Sequence, residues 1–463
     1  MKVFNTLTRQ KEDFVTLEPG KVKMYACGPT VYNLIHIGNA RPICVFDVLR
    51  RYLEYRGYQV TFVQNFTDVD DKIIKKSIEE GIPAKDVAER YIQEYWTDVK
   101  GMGVRPATIH PRATETMDQI IKLVQEIIDA GYGYEAGGDV YFRSRKFKDY
   151  GKLSHQPLEE LESGARIEVD SRKEDPLDFV LWKAAKPGEP SWDSPWGPGR
   201  PGWHIECTAM IKKHLGDNID IHCGGQDLIF PHHENEIAQA ECCAPGDYAR
   251  YWMHNGYINV DNRKMSKSLG NFFTVREVGE KFGYEPIRYL MLQAHYRSPI
   301  NYSLEVIEQC QAALDRLYTC RDNMDFALKN ADDSVAGTPA FLESLAARRQ
   351  QFIDAMDDDL NTADALSAVF ELVRESNIHL SVPRPAKEVQ AAMDLFDELT
   401  GVLGLVYNRQ SKSLDSEVEE LIEKRQAARK ARDFATADAI RDQLAAQGIV
   451  LEDTPQGVKW HRA

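Results

Sequence analysis

An apolar run at residues 22–27 leads directly into a helical pattern, and this succession leaves few folds open. In the pattern, Ile43, Phe46, Leu49 and Leu53 recur at helical spacing and share one face. A buried strand followed by an amphipathic helix is typical of a βαβ unit in a parallel sheet. Residues 22–110 read as strand, helix, strand and helix, and they therefore predict one half of a doubly wound sheet.

A second apolar strand, at residues 219–223, resumes the same pattern and is followed by Gly224, Gly225 and a helix from Pro231. Between the two halves, a helix at residues 116–130 gives way to glycine, tyrosine and charged segments and to turns. We therefore expect an α/β, Rossmann-type catalytic domain that is split by an insertion. Its parts are predicted at residues 1–110 (first half), 111–200 (insertion) and 201–255 (second half).

The rest of the chain is mainly helical, since residues 314–323, 341–356, 360–377 and 387–405 carry helical periodicity. A polar stretch at residues 408–417 is the best candidate for a linker, and residues 449–460 predict a hairpin. A chain of 463 residues is too long for one core. The predicted regions are a polar-loop region at 256–310, a helical bundle at 311–407 and a small α+β domain at 408–463.

Charge and composition limit the class of protein further. The net charge is −15, but basic residues gather near the C-terminus, which suits a specific RNA binder with an acidic bulk. These residues are Lys424, Arg425, Arg429, Lys430, Arg432 and Arg441. No apolar run approaches the ~20 residues that span a bilayer, and the N-terminus lacks a signal pattern, so we expect a cytoplasmic protein. There the eight cysteines would be free thiols or metal ligands.

Two distant segments have the chemistry of a nucleotide site. Residues 36–39 read His-Ile-Gly-Asn at the start of the first helix, where backbone N–H groups bind phosphate. Residues 264–268 read Lys-Met-Ser-Lys-Ser in a polar loop, and such lysines could neutralise departing pyrophosphate. Alone, each segment would be an ordinary turn or a solvated loop. Together they predict four catalytic residues, which are His36, Asn39, Lys264 and Lys267. Gly38 has no side chain and would leave room for the adenine ring.

A metal site is indicated by a second set of residues. Cys27 ends the first strand, Cys207 ends the run Gly-Trp-His-Ile-Glu-Cys, and His232 and Glu236 are spaced to share one side of a helix. Thiolate, imidazole and carboxylate together suit Zn²⁺. Taken singly, the cysteines could be small buried apolar residues and His232 could cap a helix.

The HIGN and KMSKS segments resemble the two signature motifs of class I aminoacyl-tRNA synthetases, with Asn39 in place of the usual histidine. Residues 178–183 (DFVLWK), 194–197 (SPWG), 201–207 (PGWHIEC) and 230–236 (FPHHENE) look like the cysteinyl-tRNA synthetase family, and the resemblance covers nearly the whole chain. It implies an enzyme, a cysteine–tRNA ligase, that activates L-cysteine with ATP and Mg²⁺ and transfers it to the terminal adenosine of tRNA-Cys. It implies one zinc ion per chain, held by Cys27, Cys207, His232 and Glu236. Cys223 and Gln226 depart from the family's glycine-rich pattern.

Further roles come only from this resemblance. Lys267 would hold ATP, Asp227 would meet ribose, and Thr67 and Trp203 would line the amino-acid pocket. The anticodon would contact the C-terminal domain, through Arg429, Phe434, Asp438, Arg441 and Asp453. Without the resemblance, Asp227 could cap a loop, Thr67 could be an ordinary hydroxyl at a strand end, and Trp203 could be a core tryptophan. The C-terminal residues could belong to a charged amphipathic helix.

The chemistry predicts how serine is excluded. Cysteine and serine differ only in sulfur and oxygen, and shape alone discriminates between such similar side chains by only ~1–3 kcal/mol. Zinc prefers thiolate to a hydroxyl, so a zinc ion would reject serine. Four protein ligands and a substrate sulfur would give the zinc ion five ligands, whereas zinc sites that bind a substrate usually have three protein ligands. One protein ligand should therefore bind weakly, and we expect it to be Glu236. We also expect slower activation with Asn39 than with histidine. An amino-sugar acceptor, as in the related ligase of mycothiol synthesis, and a non-catalytic RNA-binding paralogue remain alternatives, and we expect a monomer.

Overall fold

The computed structural model describes residues 1–157, 171–244, 246–264, 271–409, 415–454 and 457–462. The chain forms two compact units. One comprises Met1–Cys310 and Asp354–Asp364, and the other comprises Gln311–Ile353 and Ala365–Ala463. Among the described helices, none is both long enough and apolar enough to span a bilayer.

The first unit is built on strands and helices that alternate over much of its length. In chain order they are β1 (Lys2–Asn5), β2 (Gln10–Asp13), β3 (Lys21–Ala26), α1 (Ile37–Tyr55), β4 (Gln59–Gln64), α2 (Asp71–Glu80), α3 (Ala84–Gly101), α4 (Met117–Asp129), β5 (Gly133–Ala136), β6 (Asp139–Phe142), β7 (Phe179–Ala184), β8 (Gly199–Pro201), α5 (Ile205–His214), β9 (Ile219–Gly225), α6 (Glu234–Glu241), β10 (Ala249–Asn255), β11 (Ile258–Val260), β12 (Arg263–Lys264), α7 (Val275–Phe282), α8 (Glu285–Leu292) and β13 (Ile300–Tyr302).

Its central sheet has four parallel strands in the order β10-β9-β3-β4. Strand β3 lies between β4 and β9, with Met24 in register with Phe62 on one side and Ile221 on the other. The strand order therefore reverses at β3 and β9, where ligands of doubly wound sheets bind beyond the carboxyl ends. This arrangement confirms the predicted α/β class and places Cys27, which follows β3, at that reversal.

Helix α1 packs through the face that the sequence predicts. Phe46, Leu49 and Leu53 are almost completely buried, and so is Arg41 on the same helix. The Arg41 guanidinium donates to the carbonyls of Gly256 and Tyr257 at 3.0 Å. These hydrogen bonds offset part of the cost of burying the charge, and they tie α1 to the segment that follows β10.

The insertion contains more regular structure than its sequence indicates. The predicted helix at residues 116–130 is α4, but strands β5, β6, β7 and β8 then form a separate antiparallel sheet in that order. Trp182 on β7 is fully buried, so this sheet has its own packed face. The strands were missed because they are short and separated by turns and charged residues, which obscures the period-2 pattern.

The C-terminal part is helical and ends in a hairpin. Its elements are α9 (Leu304–Lys329), α10 (Pro339–Asp357), α11 (Thr362–His379), α12 (Ala386–Leu403), α13 (Asp415–Lys430), α14 (Phe434–Ala446), β14 (Ile449–Thr454) and β15 (Gly457–Arg462). In the second unit, Arg321 on α9 pairs with Asp397 on α12 at 2.7 Å. The predicted helices and the predicted hairpin are confirmed, with Leu451 opposite Trp460.

Candidate functional site

The backbone at the end of β3 passes very close to the segment after β4. A Cβ atom on Gly28 would lie 1.6 Å from the Asn65 carbonyl oxygen, so only glycine fits there. The Gly28 amide donates to Asn65 Oδ1 at 2.8 Å. This contact fixes the direction in which the preceding residue, Cys27, leaves the sheet.

Four predicted ligands meet beside this point. The ligand atoms of Cys27, Cys207, His232 and Glu236 all lie within 4.8 Å of one another. Cys207 Sγ is 3.6 Å from His232 Nε2, Cys27 Sγ is 3.5 Å from Glu236 Oε1, and His232 Nε2 is 3.0 Å from the same oxygen. The edges of a tetrahedral zinc site are roughly 3.3–3.8 Å, from Zn–S of about 2.3 Å and Zn–N or Zn–O of about 2.0–2.2 Å. Both distances to sulfur fall in this range, while the 3.0 Å between His232 and Glu236 is a hydrogen-bond distance that would lengthen slightly around an ion. The donor set and its approximate spacing therefore fit a zinc ion.

The helical winding that carries two of these ligands begins where the sequence predicts. Phe230 is extended, and it is the only residue of 229–233 with non-helical backbone, so the winding starts at Pro231 and runs on into α6. The predicted helix from Pro231 is therefore confirmed. His232 and Glu236 face each other because they lie one turn apart on this winding.

Outer partners hold the imidazole and the carboxylate in place. His232 Nδ1 lies 2.9 Å from His204 Nδ1, which leaves Nε2 directed at the other donors. Glu236 Oε2 is 2.9 Å from His222 Nε2 and accepts from the Tyr248 hydroxyl at 3.2 Å, which leaves Oε1 for a metal. Such second partners are typical of zinc ligands, since they fix orientation and increase basicity.

A second donor group overlaps the first and was missed from the sequence. It consists of Cys27, His222, His233 and Glu236. His233 Nε2 is 3.3 Å from Cys27 Sγ, and its Nδ1 is 2.8 Å from His254 Nε2. For His222, the sequence signal was its position on β9, because side chains at neighbouring strand positions point to opposite faces of a sheet.

That alternation also bears on Cys223. It follows His222 on β9 and is buried, but it belongs to neither donor group among the described residues. Apolar burial raises the pKa of its thiol well above the usual value. A neutral thiol on the far side of the strand is a packing residue.

The four ligand groups share protons that a metal ion would have to displace. The hydrogen bond from Cys27 lowers the pKa of Cys207 to about 6, while burial and the Cys207 thiolate raise that of Cys27 well above its usual value. Burial lowers the pKa of His232, but hydrogen bonds to Cys207 and Glu236 outweigh it and bring the value to about 10. Burial opposes ionisation of Glu236 as well, yet His222 and His232 hold its pKa below the ordinary range. A metal would replace these protons and release them.

The predicted pocket residues take different positions. The Trp203 ring is 44% exposed and lies 4.6 Å from the His232 ring, between centroids. Thr67 is buried and donates to Glu206 Oε2 at 2.9 Å. Asp227 is exposed in the short turn Gln226–Leu228 that follows β9. Trp203 therefore lies beside a member of the donor group, Thr67 contacts the residue that precedes Cys207, and Asp227 lies at the strand end.

Backbone hydrogen bonds join the start of α1 to the chain that follows the lysine segment. The Ile37 amide donates to the Phe273 carbonyl at 3.0 Å, and the Val275 amide donates to the Ile35 carbonyl at 2.9 Å. His36 is the N-cap of α1, and its amide donates to Asn39 Oδ1 at 3.1 Å. Asn39 therefore caps the helix through its oxygen, and its NH₂ group remains as a donor.

The lysines of the polar loop are only partly covered by the structure. Lys264 ends β12, with its backbone opposite Asn259, but its side chain is not described. Lys267 and the rest of residues 265–270 lie outside the described residues. The chain beyond these residues, at Phe273, is hydrogen-bonded to the start of α1.

The predicted RNA-binding residues are accessible wherever the structure describes them. Arg429, Asp438 and Arg441 are exposed, and Phe434 is 62% exposed at the start of α14. The side chain of Asp453 lies outside the described residues. Arg425, one of the basic residues noted near the C-terminus, is buried and adds nothing to the exposed charge.

Comparison with known proteins covers the chain from end to end. Residues 13–312 match the family described as tRNA synthetases class I (C) catalytic domain, residues 351–407 the DALR domain, and residues 411–460 the cysteinyl-tRNA ligase anticodon binding domain. The cysteine–tRNA ligase of Clostridioides difficile is 57% identical over 100% of both chains. Those of Brevibacillus brevis and Halalkalibacterium halodurans are 58% and 59% identical, covering 100% of this chain and 99% of theirs.

Solved structures of more distant proteins share the fold. A methionyl-tRNA synthetase of Mycobacterium tuberculosis in complex with methionyl-adenylate has a TM-score of 0.62 at 16% identity, over 83% of this chain and 89% of that one. A LeuRS from Agrobacterium radiobacter has a TM-score of 0.61 at 11% identity, over 85% of each chain. At these identities the likeness concerns architecture alone.

Proposed function

The chain belongs to the cysteine–tRNA ligases of class I, enzymes that charge tRNA with cysteine, and from that premise we propose how it selects and activates its amino acid. L-cysteine and ATP form cysteinyl-adenylate and pyrophosphate, and the acyl group then passes to the 2′-hydroxyl of the terminal adenosine of tRNA-Cys. The observation that carries the selection step is the convergence of two thiols, one imidazole and one carboxylate on a single point.

Cys27, Cys207, His232 and Glu236 would hold Zn²⁺ beside the pocket formed by Thr67 and Trp203. A zinc ion there supplies an affinity for thiolate that the hydroxyl of serine cannot match. The exposed Trp203 ring lies against His232 and can close over a small amino acid. Its position would exclude water from one side of the pocket.

Glu236 is the ligand best placed to give way to a substrate thiolate. Its Oε2 already has two partners, His222 and Tyr248, so the carboxylate keeps its hydrogen bonds if Oε1 withdraws. Cys27 and Cys207, by contrast, have only weak sulfur contacts in place of a metal. This difference supports the expectation that Glu236 binds most weakly.

Activation would depend on positioning and charge. ATP, with Mg²⁺, would lie against the start of α1, where His36, Asn39 and backbone amides face the phosphates. Lys264 and Lys267 would neutralise the charge that develops on pyrophosphate, and Asp227 would accept from ribose. The hydrogen bonds from Ile37 to Phe273 and from Val275 to Ile35 support this pairing, because they hold the end of the lysine loop at α1.

Replacing Asn39 with histidine tests the proposed role of Asn39 beside the phosphates of ATP. An imidazolium can carry charge toward a phosphate and an amide cannot, so Asn39→His is expected to raise the rate of cysteine-dependent ATP–pyrophosphate exchange. Asn39→Ala is the control, because it also removes the bond to the His36 amide. It should lower both the exchange rate and the unfolding free energy, the latter by about 1 kcal/mol. A folded Asn39→His protein with an unchanged or lower rate would contradict the assignment.

The C-terminal domain would read the anticodon of tRNA-Cys. Unpaired bases stack on aromatic rings, and arginine binds phosphate and guanine, which suits the exposed Phe434, Arg429 and Arg441. Asp438 and Asp453 would accept from base edges.

Two assays on one preparation test the whole proposal and this domain's part in it. The unaltered enzyme should catalyse cysteine-dependent exchange and should charge tRNA-Cys. Arg441→Glu should lower kcat/KM for tRNA roughly 10–100-fold and leave exchange unchanged. The matched control is Arg90→Glu, an exposed arginine on α3 that pairs with Glu80, and it should change neither assay. Exchange without charging in the unaltered enzyme would point to another acceptor.

A further inference from the structure

Two neighbouring cysteines at the end of α6 form a thiol pair outside the metal donors. Cys242 caps the helix and Cys243 follows it, and both side chains are partly exposed. Their sulfur atoms lie 3.5 Å apart. Neither thiol belongs to a donor group among the described residues. Two accessible thiols in contact can react as one unit, since the second can resolve a product formed on the first.

The other six cysteines are less open to reaction. All eight lie within the described residues. Cys27 and Cys207 belong to the donor group that fits zinc. The remaining four are buried, and burial raises the pKa of each thiol above its usual value; they are Cys44, Cys223, Cys310 and Cys320. Because the thiolate is the reactive form, oxidation should favour Cys242 and Cys243.

The surroundings of the pair give the two thiols different roles. The hydrogen bond from Cys242 lowers the pKa of Cys243 below its usual value. Burial and the Glu126 carboxylate oppose this lowering, and the Lys212 ammonium adds to it. Cys242 keeps its proton and can donate it to the Gln239 carbonyl, 3.3 Å away, or to the Cys243 sulfur. Cys243 is therefore suited to attack an oxidant, and Cys242 to resolve the product.

We propose that Cys242 and Cys243 form a modification site for hydroperoxides, at which the two thiols are oxidised to a reversible disulfide. The Cys243 sulfur attacks a peroxide oxygen, so that an S–O bond forms and the O–O bond breaks. The Cys242 sulfur then attacks Cys243, so that the S–S bond forms and the S–O bond breaks. The pair loses two electrons and two protons, and hydrogen peroxide is reduced to two water molecules. This inference does not depend on the proposed function, because neither sulfur is a proposed metal ligand.

A disulfide between neighbouring residues is easily reduced again. Consecutive Cα atoms are about 3.8 Å apart, whereas most disulfides join Cα atoms about 4.4–6.8 Å apart, so the bond is strained. Strained and accessible disulfides are the labile ones, which other thiols reduce readily. The pair is therefore suited to a reversible modification and not to a structural cross-link.

The pair also lies at the end of the helix that carries Glu236. To bond, the sulfur atoms must approach from 3.5 Å to about 2.0 Å. Cys242 has helical backbone angles, with φ −70° and ψ −20°, and neighbouring side chains on a helix do not face each other, so this approach must turn the backbone. The preceding residue, Glu241, accepts from the Tyr248 amide at 3.1 Å, and the Tyr248 hydroxyl donates to Glu236 at 3.2 Å. The modification would thus lie two hydrogen bonds away from a proposed metal ligand.

Peptide mapping of the enzyme supplied with zinc tests this site. After treatment with hydrogen peroxide, the remaining thiols are alkylated and the protein is digested. The peptide that contains Cys242 and Cys243 should escape alkylation and should lack two hydrogen atoms, and dithiothreitol should restore both alkylated thiols. The zinc content should stay the same. Alkylation of both thiols after peroxide treatment, or oxidation confined to Cys27 and Cys207, would overturn the inference.

One variant separates the two steps of the reaction. Cys242→Ser removes the resolving thiol, so Cys243 should stop at a sulfenic acid that dimedone labels, whereas the unaltered enzyme should show little of this label. Cys310→Ala is the matched control, because it removes a buried thiol on α9 and should leave disulfide formation unchanged. Equal dimedone labelling of Cys243 with and without Cys242 would mean that the thiols do not react as a pair, and the inference would fail.

Discussion

Loss of the metal is expected to reduce the preference for cysteine over serine to about 10–200-fold, the range that shape alone can provide. The same collapse is expected in Cys207→Ala, which removes a donor that lies 3.6 Å from His232. The physical reason is that the two amino acids differ only in sulfur and oxygen, and a metal that prefers thiolate distinguishes them. The measurement is kcat/KM for ATP–pyrophosphate exchange with each amino acid, before and after chelation.

Cys223→Ala is the matched control for this experiment. It removes another buried thiol of the same region, but one that belongs to neither donor group. It should retain bound zinc and the preference for cysteine. If the zinc-free enzyme still favoured cysteine by more than about 10³-fold, selection would have to come from the pocket rather than from the metal.

Lys267→Ala is expected to lower kcat of cysteine-dependent pyrophosphate exchange by about 10²–10³-fold, the effect of removing one donor that stabilises charge in a transition state. Charge accumulates on pyrophosphate only as the bond to the α-phosphate breaks, so KM for cysteine should hardly change. Initial rates at varied ATP and cysteine concentrations separate the two effects.

The control for this variant is Lys281→Ala, an exposed lysine on α7 just beyond the same loop. It should leave both constants unchanged. An equal rise in KM for cysteine and fall in kcat for Lys267→Ala would indicate general damage to the site, and an unaffected kcat would remove Lys267 from the catalytic residues.

The sequence predicted the parallel sheet and the helical segments because their periodicity is long and regular. The apolar face of α1 and the C-terminal hairpin are examples. It did not predict the sheet of the insertion, since strands of three to six residues leave too short a pattern. The length of an element, more than its composition, therefore decided whether the sequence predicted it.

For the site, the sequence indicated residue types but not which histidines face the donors. The run at residues 230–236 suggested His232 and Glu236, and both reach the donor group. His222 and His233 could not be assigned, because their position depends on the turn before α6 and on the register of β9 with β3. Contacts of this kind are set by tertiary packing, which one sequence does not display.

The insertion lies between β4 and β9, so Cys27 is synthesised long before the residues it meets. Cys207, His232 and Glu236 follow it only after the insertion. If these four residues hold zinc as proposed, the ion would bind only once both halves of the sheet are in place, and its uptake would report completion of the catalytic unit. Chains made without zinc would then lack an ion that joins the two halves.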